Sequence, residues 1–572
     1  MKNITVATNA SGVMVATLDM PGRPFNVFSE AMMADLAALI DRIESDTAAG
    51  KAPAGLVMTS GKSTFVAGAD LAMIQDFGAM RFSASWQDMR DRYSYLGQLF
   101  RRLEKLPVPT VAAVNGLALG GGLELAMACH GRVCADSKYI QLGLPEVVLG
   151  LLPGAGGTQR LPRYVGTELG TKMLLDGKPL TADQALASGL VDALAAPEEL
   201  IAVATEMVLS MKAGARWDSP AFTMPADGRS AADAGFREWA CEVAGVSARD
   251  AQLYPAIDAI INCLTGGHGK SIDAACNVEW DIFVDLMSDP VSSNMVTTCF
   301  LSKTAATKQS LVGLPEVTAP ASVALIGDLD LGKNPFKKIA QETDADFYLA
   351  DAVLSDERAD LLVQDLRLAP SIASAKPVLR LTASFGESEV LELAAGKSTD
   401  DTALAMSVLQ RSGKAIVLSR SAQSVNDVLI AGMRSAYARS GVSAQNFYTQ
   451  CEAVGLEYLA QIAIDELAEP ARSLQTPDQA LGLPLLLNLS FDVYTWLKPQ
   501  LDGHSNTVSD GLLAGIDLAA VYGVKFPKWS GGPLSCLTMF QRGELKYSGA
   551  QALLTQLEWR FKNELGYKLV AA

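Results

Sequence analysis

Glu124 and Glu146 are the residues whose type and spacing could do chemistry in this chain. Glu124 directly follows the glycine-rich turn at residues 120–122, and Glu146 lies behind Pro145 and shortly before a second turn, PGAGG. Two carboxyl groups that share a site can divide the roles of acid and base, because repulsion between like charges leaves a proton on one of them. With a backbone donor for an oxyanion, such a pair can move a proton beside a carbonyl while water adds or leaves.

The elements that must position Glu124 are a buried strand and a short helix. Residues 108–116, VPTVAAVNG, are apolar and rich in β-formers, which predicts a buried strand. The glycines that follow allow close approach of the backbone, and a helix beginning there would direct the N–H groups of Gly121 and Gly122 beyond the strand end. Taken singly, a glycine-rich turn is more typical of packing, so the functional prediction depends on the combination.

The combination of NGLALGGGLELAMAC with LGLPEVVLGLLPGAGGTQRL resembles the signature of the crotonase family of enoyl-CoA hydratases and isomerases. The resemblance implies that Glu124 and Glu146 are the catalytic pair. It also implies an oxyanion hole formed by the N–H groups of Gly121 and of Ala69, which lies in the segment FVAGAD. The substrate-binding residues that it implies are Ala67, Gly68, Asp70, Gly120, Gly122, Pro145 and Gly154.

The contacts to coenzyme A are less clearly marked. Members of the crotonase family commonly carry a lysine near position 72, whereas this chain has Ala72. Contacts to the phosphates and the adenine must then come from elsewhere, and Arg23 and the basic residues at 101–105 are the candidates.

Composition excludes several other classes of protein. The net charge of −16 argues against a nucleic-acid binder, which needs a basic face. The eight cysteines are scattered, which favours a reducing compartment. The sequence has no pattern typical of a signal peptide, a membrane span or a metal site, so we expect a cytoplasmic protein without a bound metal or membrane contact.

The second half of the chain resembles the α-subunit type of multifunctional enzyme of fatty-acid β-oxidation, in which a long helix joins a hydratase to a 3-hydroxyacyl-CoA dehydrogenase. Residues 321–332, ASVALIGDLDLG, depart from the dinucleotide fingerprint. Leu329 replaces the glycine that lets the backbone approach a pyrophosphate, and Asp328 and Asp330 would repel the phosphates. The segment up to residue 392 is also shorter than the roughly 100 to 130 residues of a complete doubly wound fold.

The second half of the chain also departs from the dehydrogenases at their catalytic residues. Glu392 aligns with the family's catalytic glutamate, but Arg380 occupies the position of its catalytic histidine, and Ala383 and Ser384 replace the Asn-Pro that follows it. The three histidines of the chain lie elsewhere, at 130, 268 and 504. Residues 516–537 still resemble the closing motif of the family's helical C-terminal domains. We therefore expect a dehydrogenase half that is inactive and binds no NAD.

These observations predict an α/β chain in four parts. The first two are a crotonase core with a ββα spiral (1–195) and the crotonase C-terminal helices with a linker helix (196–315). A truncated, degenerate Rossmann-like domain (316–415) and helical dehydrogenase-type C-terminal domains (416–572) follow.

The expected activity is hydration of 2-trans-enoyl-CoA to 3-hydroxyacyl-CoA in a β-oxidation-type pathway. The alternatives are a Δ3-Δ2 enoyl-CoA isomerase, which needs mainly Glu146, and a non-catalytic scaffold that binds acyl-CoA. A bifunctional hydratase and dehydrogenase is the third alternative, and Leu329 and Arg380 oppose it. The partners compatible with the resemblance are a thiolase or further copies of the chain.

Overall fold

The computed structural model forms two compact units, Met1–Val296 and Thr297–Ala572. The boundary between them falls inside the predicted linker segment 196–315, and the finer division into four parts stays a prediction. The structure describes residues 1–225, 229–308, 315, 317, 324–326, 348–351, 359–366, 374, 376–382, 387–419, 423–464, 479–501, 506–542 and 544.

The strands of the first unit form two sheets. They are β1 (Ile4–Thr8), β2 (Val13–Leu18), β3 (Gly55–Ser60), β4 (Thr110–Val114), β5 (Ala118–Leu119), β6 (Gly131–Ala135), β7 (Leu142–Gly143) and β8 (Ala193–Ala195). The larger sheet has the order β1-β2-β3-β4-β6-β8, and β5 pairs with β7. β1 and β2 are antiparallel, and the remaining pairs are parallel.

Helices surround these sheets. They are α1 (Glu30–Ala48), α2 (Leu71–Met80), α3 (Trp86–Glu104), α4 (Gly121–Met127), α5 (Gly157–Val165), α6 (Thr167–Asp176), α7 (Ala182–Ala187), α8 (Leu200–Ser210), α9 (Phe236–Ala244), α10 (Ala248–Leu253), α11 (Pro255–Gly267), α12 (Ile272–Ser288) and α13 (Pro290–Met295). Two 3-10 helices cover Pro145–Leu149 and Arg216–Asp218. Helices α3 and α12 begin at N-cap serines, Ser85 and Ser271, whose side chains accept backbone N–H groups.

The predicted central strand is confirmed as β4, and every residue of it is buried. A parallel strand covered on both faces is expected to be largely apolar. The sequence TVAAV meets that requirement except at Thr110, whose buried hydroxyl accepts the N–H of His130. The chain then passes through β5 and begins α4 at Gly121, so the carboxyl end of the strand and the start of this helix meet at one edge of the unit.

The second unit contains a six-stranded sheet with helices. Its strands are β9 (Ala324–Ile326), β10 (Tyr348–Asp351), β11 (Leu361–Asp365), β12 (Val378–Leu381), β13 (Val390–Ala394) and β14 (Ala415–Ser419). Its α-helices are α14 (Lys303–Lys308), α15 (Thr399–Leu409), α16 (Val425–Ser440), α17 (Ala444–Val454), α18 (Glu457–Ala463), α19 (Gln479–Leu501), α20 (Asn506–Gly523) and α21 (Pro533–Gln541). A π-helix, Val296–Ser302, precedes α14, and 3-10 helices cover Gln410–Ser412 and Lys528–Ser530.

The strands of this second sheet lie in chain order, from β9 to β14. β9 to β12 are parallel, β12 and β13 are antiparallel, and β13 and β14 are parallel again. A doubly wound sheet binds its nucleotide where the strand order reverses. Among the strands that the structure describes, the order does not reverse.

Several features from the sequence fall outside the described residues. They are the fingerprint positions Asp328, Leu329 and Asp330, the pair Ala383 and Ser384, and His504. Within the described ranges, no helix is long and apolar enough to cross a lipid bilayer.

Candidate active site

Glu124 is held by the start of α4 and by the turn before α5. Its side chain is buried, and its Oε1 atom accepts the backbone N–H groups of Ala155 at 2.8 Å and Gly157 at 2.7 Å. Burial raises the pKa of Glu124 to about 7, although these two N–H groups and the charge of Arg160 lower it. A carboxyl group with such a pKa can exchange a proton near neutral pH.

Glu146 lies on the 3-10 helix that Pro145 begins. Its Oε2 atom is buried and has no hydrogen-bond partner in the described part of the chain. Burial is the main reason that the pKa of Glu146 is well above its usual value, and the negative charges of Glu124 and Glu279 raise it further. We therefore expect Glu146 to be protonated at neutral pH, with a carboxyl oxygen available to a substrate.

The glycine at position 120 allows Glu146 to reach this place. Gly120 has a φ of +52°, and a Cβ atom built on it would lie 2.4 Å from Oε1 of Glu146. The same Cβ would lie 3.8 Å from the Cα atom of Gly68, so the two loops predicted to supply oxyanion donors are neighbours. Gly120 therefore brings together Glu146, the start of α4 and the loop that contains Ala69.

The N–H groups of Ala69 and Gly121 are available as donors. On either side of Ala69, Ala67 N donates to Asn26 O and Asp70 N donates to Phe28 O. Over the described ranges, neither Ala69 N nor Gly121 N has a hydrogen-bond acceptor, and Gly121 is the first residue of α4. Two such groups in adjacent loops can bind the oxygen of a polarised carbonyl.

Other predicted substrate-binding residues have structural roles that explain why glycine or aspartate occupies these positions. Gly122 lies against the backbone, because a Cβ there would be 2.2 Å from Val66 O. Gly154 lies against α12, because a Cβ there would be 2.5 Å from the ring of Phe283. Asp70 caps α2 by accepting the N–H of Ala72. Their contact with a substrate stays a prediction.

The basic residues considered for coenzyme A are paired with carboxylates. Arg101 is buried and contacts Glu104, Asp218 and Asp273. Arg102 pairs with Asp41 and Glu44, and Lys105 pairs with Asp273. The structure therefore does not support residues 101–105 as coenzyme A contacts. Arg23 is half-exposed and pairs with Asp70 beside the Ala69 loop, so it stays a candidate.

Sequence reasoning missed a third buried glutamate at this site, Glu279 on α12. It accepts Gly156 N at 2.6 Å and Thr158 N at 3.0 Å, and burial followed by the charge of Glu124 raises its pKa to about 8. The signal that could have found it is a charged residue on an otherwise apolar helix face, which is formed by Ala275, Cys276, Trp280, Phe283 and Val284.

The remaining histidine candidates do not form a site. His130 accepts Thr110 N at 3.0 Å on its Nδ1 atom, and its Nε2 lies 2.9 Å from Glu104 O. Burial lowers the pKa of His130, which favours a neutral ring that links the end of α3 to the start of β4. His268 lies at the end of α11 and contacts Ser230. Within the residues that the structure describes, no group of three metal-binding side chains is present.

The second unit places Arg380 and Glu392 side by side on β12 and β13, as register partners. Glu392 accepts Ser419 Oγ at 2.7 Å and Val425 N at 2.6 Å, and burial raises its pKa to about 7. Arg380 contacts Gln364 and lies 3.4 Å from Asp427. The positions that align with a dehydrogenase's catalytic pair are therefore part of a buried ion cluster.

The sequence model of the enoyl-CoA hydratase/isomerase family matches residues 8–225. This range includes both glutamates of the pair and both predicted oxyanion donors. The N-terminal part of the chain is therefore similar to this family. The first unit accordingly has the crotonase fold, and the chain continues into a mixed sheet and a helical C-terminal region, as predicted.

Two curated relatives are longer proteins, both named fatty acid oxidation complex subunit alpha. The one from Idiomarina loihiensis is 41% identical over 300 residues, which are 51% of this chain and 40% of the relative. The one from Shewanella loihica is 38% identical over 330 residues, 57% of this chain and 45% of the relative. The chain therefore matches less than half of the length of these relatives.

Among solved structures, the chain is similar to an enoyl-CoA hydratase from Bacillus anthracis. The sequence identity is 32%, the match covers 36% of this chain and 75% of that protein, and the TM-score is 0.32.

Proposed function

We propose that the chain is an enoyl-CoA hydratase that converts a 2-trans-enoyl-CoA thioester into a 3-hydroxyacyl-CoA in a β-oxidation-type pathway. The observation that carries the proposal is the pair formed by buried Glu124 and by Glu146, whose Oε2 atom is buried, beside two N–H groups that lack acceptors within the described residues. The name of the curated relatives supports the pathway.

In the proposed reaction, the thioester oxygen accepts hydrogen bonds from Ala69 N and Gly121 N. These donors stabilise the enolate-like charge of the transition state by about 3–4 kcal/mol each, as other oxyanion donors do. Glu124, when ionised, takes a proton from water as the water oxygen bonds to the β-carbon. Glu146, which is protonated, gives its proton to the α-carbon. One water is thereby added, and exchange with solvent returns the proton from Glu124 to Glu146.

The experiment that tests this proposal follows the absorbance of the conjugated thioester after a short and a long 2-enoyl-CoA are added. Hydration removes the conjugation, so the absorbance falls. The chain length that reacts faster identifies the preferred acyl group. No loss of absorbance with either substrate would contradict the proposal and favour the alternative of a non-catalytic acyl-CoA-binding scaffold.

A Δ3-Δ2 enoyl-CoA isomerase is the second candidate, and one observation favours it. Within the part of the chain that the structure describes, one oxygen of Glu146 has no hydrogen-bond partner, whereas Glu124 is held by two backbone N–H groups. A single carboxyl group can carry a proton between two carbons of the acyl chain. The variant Glu124→Gln separates the candidates, because it should abolish hydration and retain isomerisation of a 3-enoyl-CoA.

We also propose that the second unit has no dehydrogenase activity and needs no NAD. The support comes from Leu329 and Arg380 in the sequence, from the strand order among the described residues and from the ion cluster around Glu392. Addition of NAD to the hydration reaction tests this proposal. Formation of NADH would contradict it and would favour the bifunctional alternative.

The proposed partners are a thiolase or further copies of the chain. The support is the word "complex" in the name of the relatives, which describes those proteins. Light scattering of the purified chain, alone and mixed with a β-oxidation thiolase, would measure both kinds of assembly. A mass of one chain in both samples would contradict both.

A further inference from the structure

Four successive N–H groups, at residues 155–158, are shared between two buried glutamates. Those of Ala155 and Gly157 point to Glu124. Those of Gly156 and Thr158 point to Glu279, on its Oε1 and Oε2 atoms respectively. The N–H groups along this turn therefore donate alternately to Glu124 and to Glu279. A shift of the turn that weakens the hydrogen bonds to one glutamate must also alter the hydrogen bonds to the other.

The backbone of this turn is fixed in an uncommon conformation. Gly156 has a φ of +100° and precedes α5, and a Cβ there would lie 1.7 Å from Nη1 of Arg160. Arg160 is fully buried, donates to Ala155 O at 2.7 Å and pairs with Glu104 at 2.7 Å. The turn is thus held by Arg160, Glu124 and Glu279 together.

Glu279 comes from α12, which lies outside the range 8–225 that matches the family. Helix α12 is tied to α3 by Asp281, which pairs with Arg90, and by Asp285, which accepts the Trp86 indole N–H. A buried carboxyl group is costly unless its oxygens are hydrogen-bonded, so a residue needed only for packing would be apolar. The two oxygens of Glu279 are matched to two N–H groups of the turn.

We propose that Glu279 is a positioning residue for the reaction at Glu124 and Glu146, which completes the site from a helix beyond the family domain. By accepting Gly156 N and Thr158 N, it sets the turn so that Ala155 N and Gly157 N hold the Glu124 carboxyl in one orientation. The inference rests on the proposed function, because it assigns Glu279 a role in that reaction.

The charge of Glu279 also acts on the proton of Glu146. The groups that face Glu279 are Glu124 on α4, Thr158 and Arg160 on α5, Cys263 on α11, Cys276 on its own helix and Glu146. Negative charge at Glu279 raises the pKa of Glu146. Removal of that charge should therefore make Glu146 lose its proton at lower pH, because the repulsion between the two carboxylates disappears.

The test compares Glu279→Gln and Glu279→Ala with the control Asp281→Asn, which alters the same helix away from the turn. We expect Glu279→Ala to lower kcat by about 10- to 100-fold, because a misplaced catalytic group costs that much, while KM changes by less than about threefold. Glu279→Gln keeps one acceptor oxygen and should recover most of kcat. The alkaline limb of its kcat profile should move to lower pH, whereas Asp281→Asn should match the parent in kcat and pH profile.

A stable Glu279→Gln protein with the parent's kcat and the parent's alkaline limb would overturn the proposal, even if Glu279→Ala fails to fold. So would a crystal structure of Glu279→Ala in which Ala155 N and Gly157 N both stay within about 3.2 Å of Glu124 Oε1. Absence of hydration by the parent protein is a different outcome. It would contradict the proposed function, and the crystal structure would still test the positioning of Glu124.

Discussion

Glu124 in the first unit and Glu392 in the second are alike in their immediate surroundings. Both are buried, both accept N–H groups near the start of a helix, and burial raises the pKa of each to about 7. Their wider surroundings differ. Glu124 faces a second carboxyl group, Glu146, one oxygen of which has no hydrogen-bond partner among the described residues, whereas Glu392 lies beside Arg380.

The comparison teaches that a raised pKa alone does not mark a catalytic carboxyl group. Burial raises the pKa of any carboxyl group, whether the site is used or not. What distinguishes the first site is a pair of like charges beside backbone donors without acceptors in the described chain. In the second, a serine hydroxyl and two backbone N–H groups donate to the carboxyl oxygens, and this arrangement fits a structural role.

The largest effect is expected from Glu146→Gln. An amide cannot deliver a proton to the α-carbon, so kcat for hydration should fall by about 10²- to 10⁴-fold, the usual contribution of general acid catalysis. Binding of an acyl-CoA product, measured by calorimetry, should change little because the shape is kept. The matched control is Glu392→Gln, which removes another glutamate whose pKa burial raises and should leave kcat unchanged. A kcat within a few-fold of the parent for Glu146→Gln would refute the assigned role.

The next effect concerns the stability of the second unit. Arg380→Met removes the cation that lies 3.4 Å from Asp427 and leaves this buried carboxylate without it. Loss of one partner of a buried ion pair costs about 3–5 kcal/mol. Chemical unfolding of the whole chain should therefore begin at lower denaturant concentration, while the hydration rate in the absence of denaturant stays at the parent's value. An unchanged unfolding curve would show that the cluster contributes no stability.

A smaller effect is expected from Gly120→Ala. The added Cβ would lie 2.4 Å from Glu146 Oε1. Alanine would also have to adopt a φ of +52° and a ψ of −126°, a sparsely populated conformation that costs on the order of 1–3 kcal/mol. We expect kcat to fall by about tenfold or more because Glu146 must move, with a small loss of thermal stability. Gly50→Ala is the control, because Gly50 also has a positive φ, +72°, but no atom of the described residues lies within 4 Å of an added Cβ. Equal loss of kcat in both variants would argue against a special role for Gly120.

Sequence reasoning could predict the parts of the site that are local in the chain. Glu124, Gly121 and the strand before them lie in one continuous motif, and the structure places them as that motif implies. Glu279 could not be found in this way, because it meets Gly156 across 123 residues and its own helix has no motif. Such a contact depends on how α12 packs, which local patterns do not encode.

The sequence was also a poor guide to charged side chains. Arg101 to Lys105 could be taken as ligands for phosphate, because a basic run has the right chemistry for that role. Tertiary packing decides which residues face these basic side chains. Helix α12 and a neighbouring segment supply the carboxylates of Asp273 and Asp218 that neutralise Arg101 and Lys105. In the second unit, residue identities at 380 and 392 predicted a lost catalytic pair, but not that Gln364 and Asp427 would join the cluster.

The smallest effect in this comparison is expected from Glu392→Gln on stability at acid pH. Because the folded-state pKa of Glu392 is about 7 and the ordinary value is 4.5, folding favours its protonated form. The stability that it contributes is therefore present below about pH 4.5 and is lost as pH rises towards 7. At pH 5 the protonated carboxyl and the amide are similar, so the free energy of unfolding should differ by less than about 1 kcal/mol. From pH 5 to pH 8 the parent should lose more stability than the variant, as measured by denaturant unfolding at each pH. If the free energy of unfolding falls equally in the two proteins from pH 5 to pH 8, Glu392 is ionised in the folded state over that whole range. Its pKa would then not be raised as that of Glu124 is, although the surroundings of the two residues are alike.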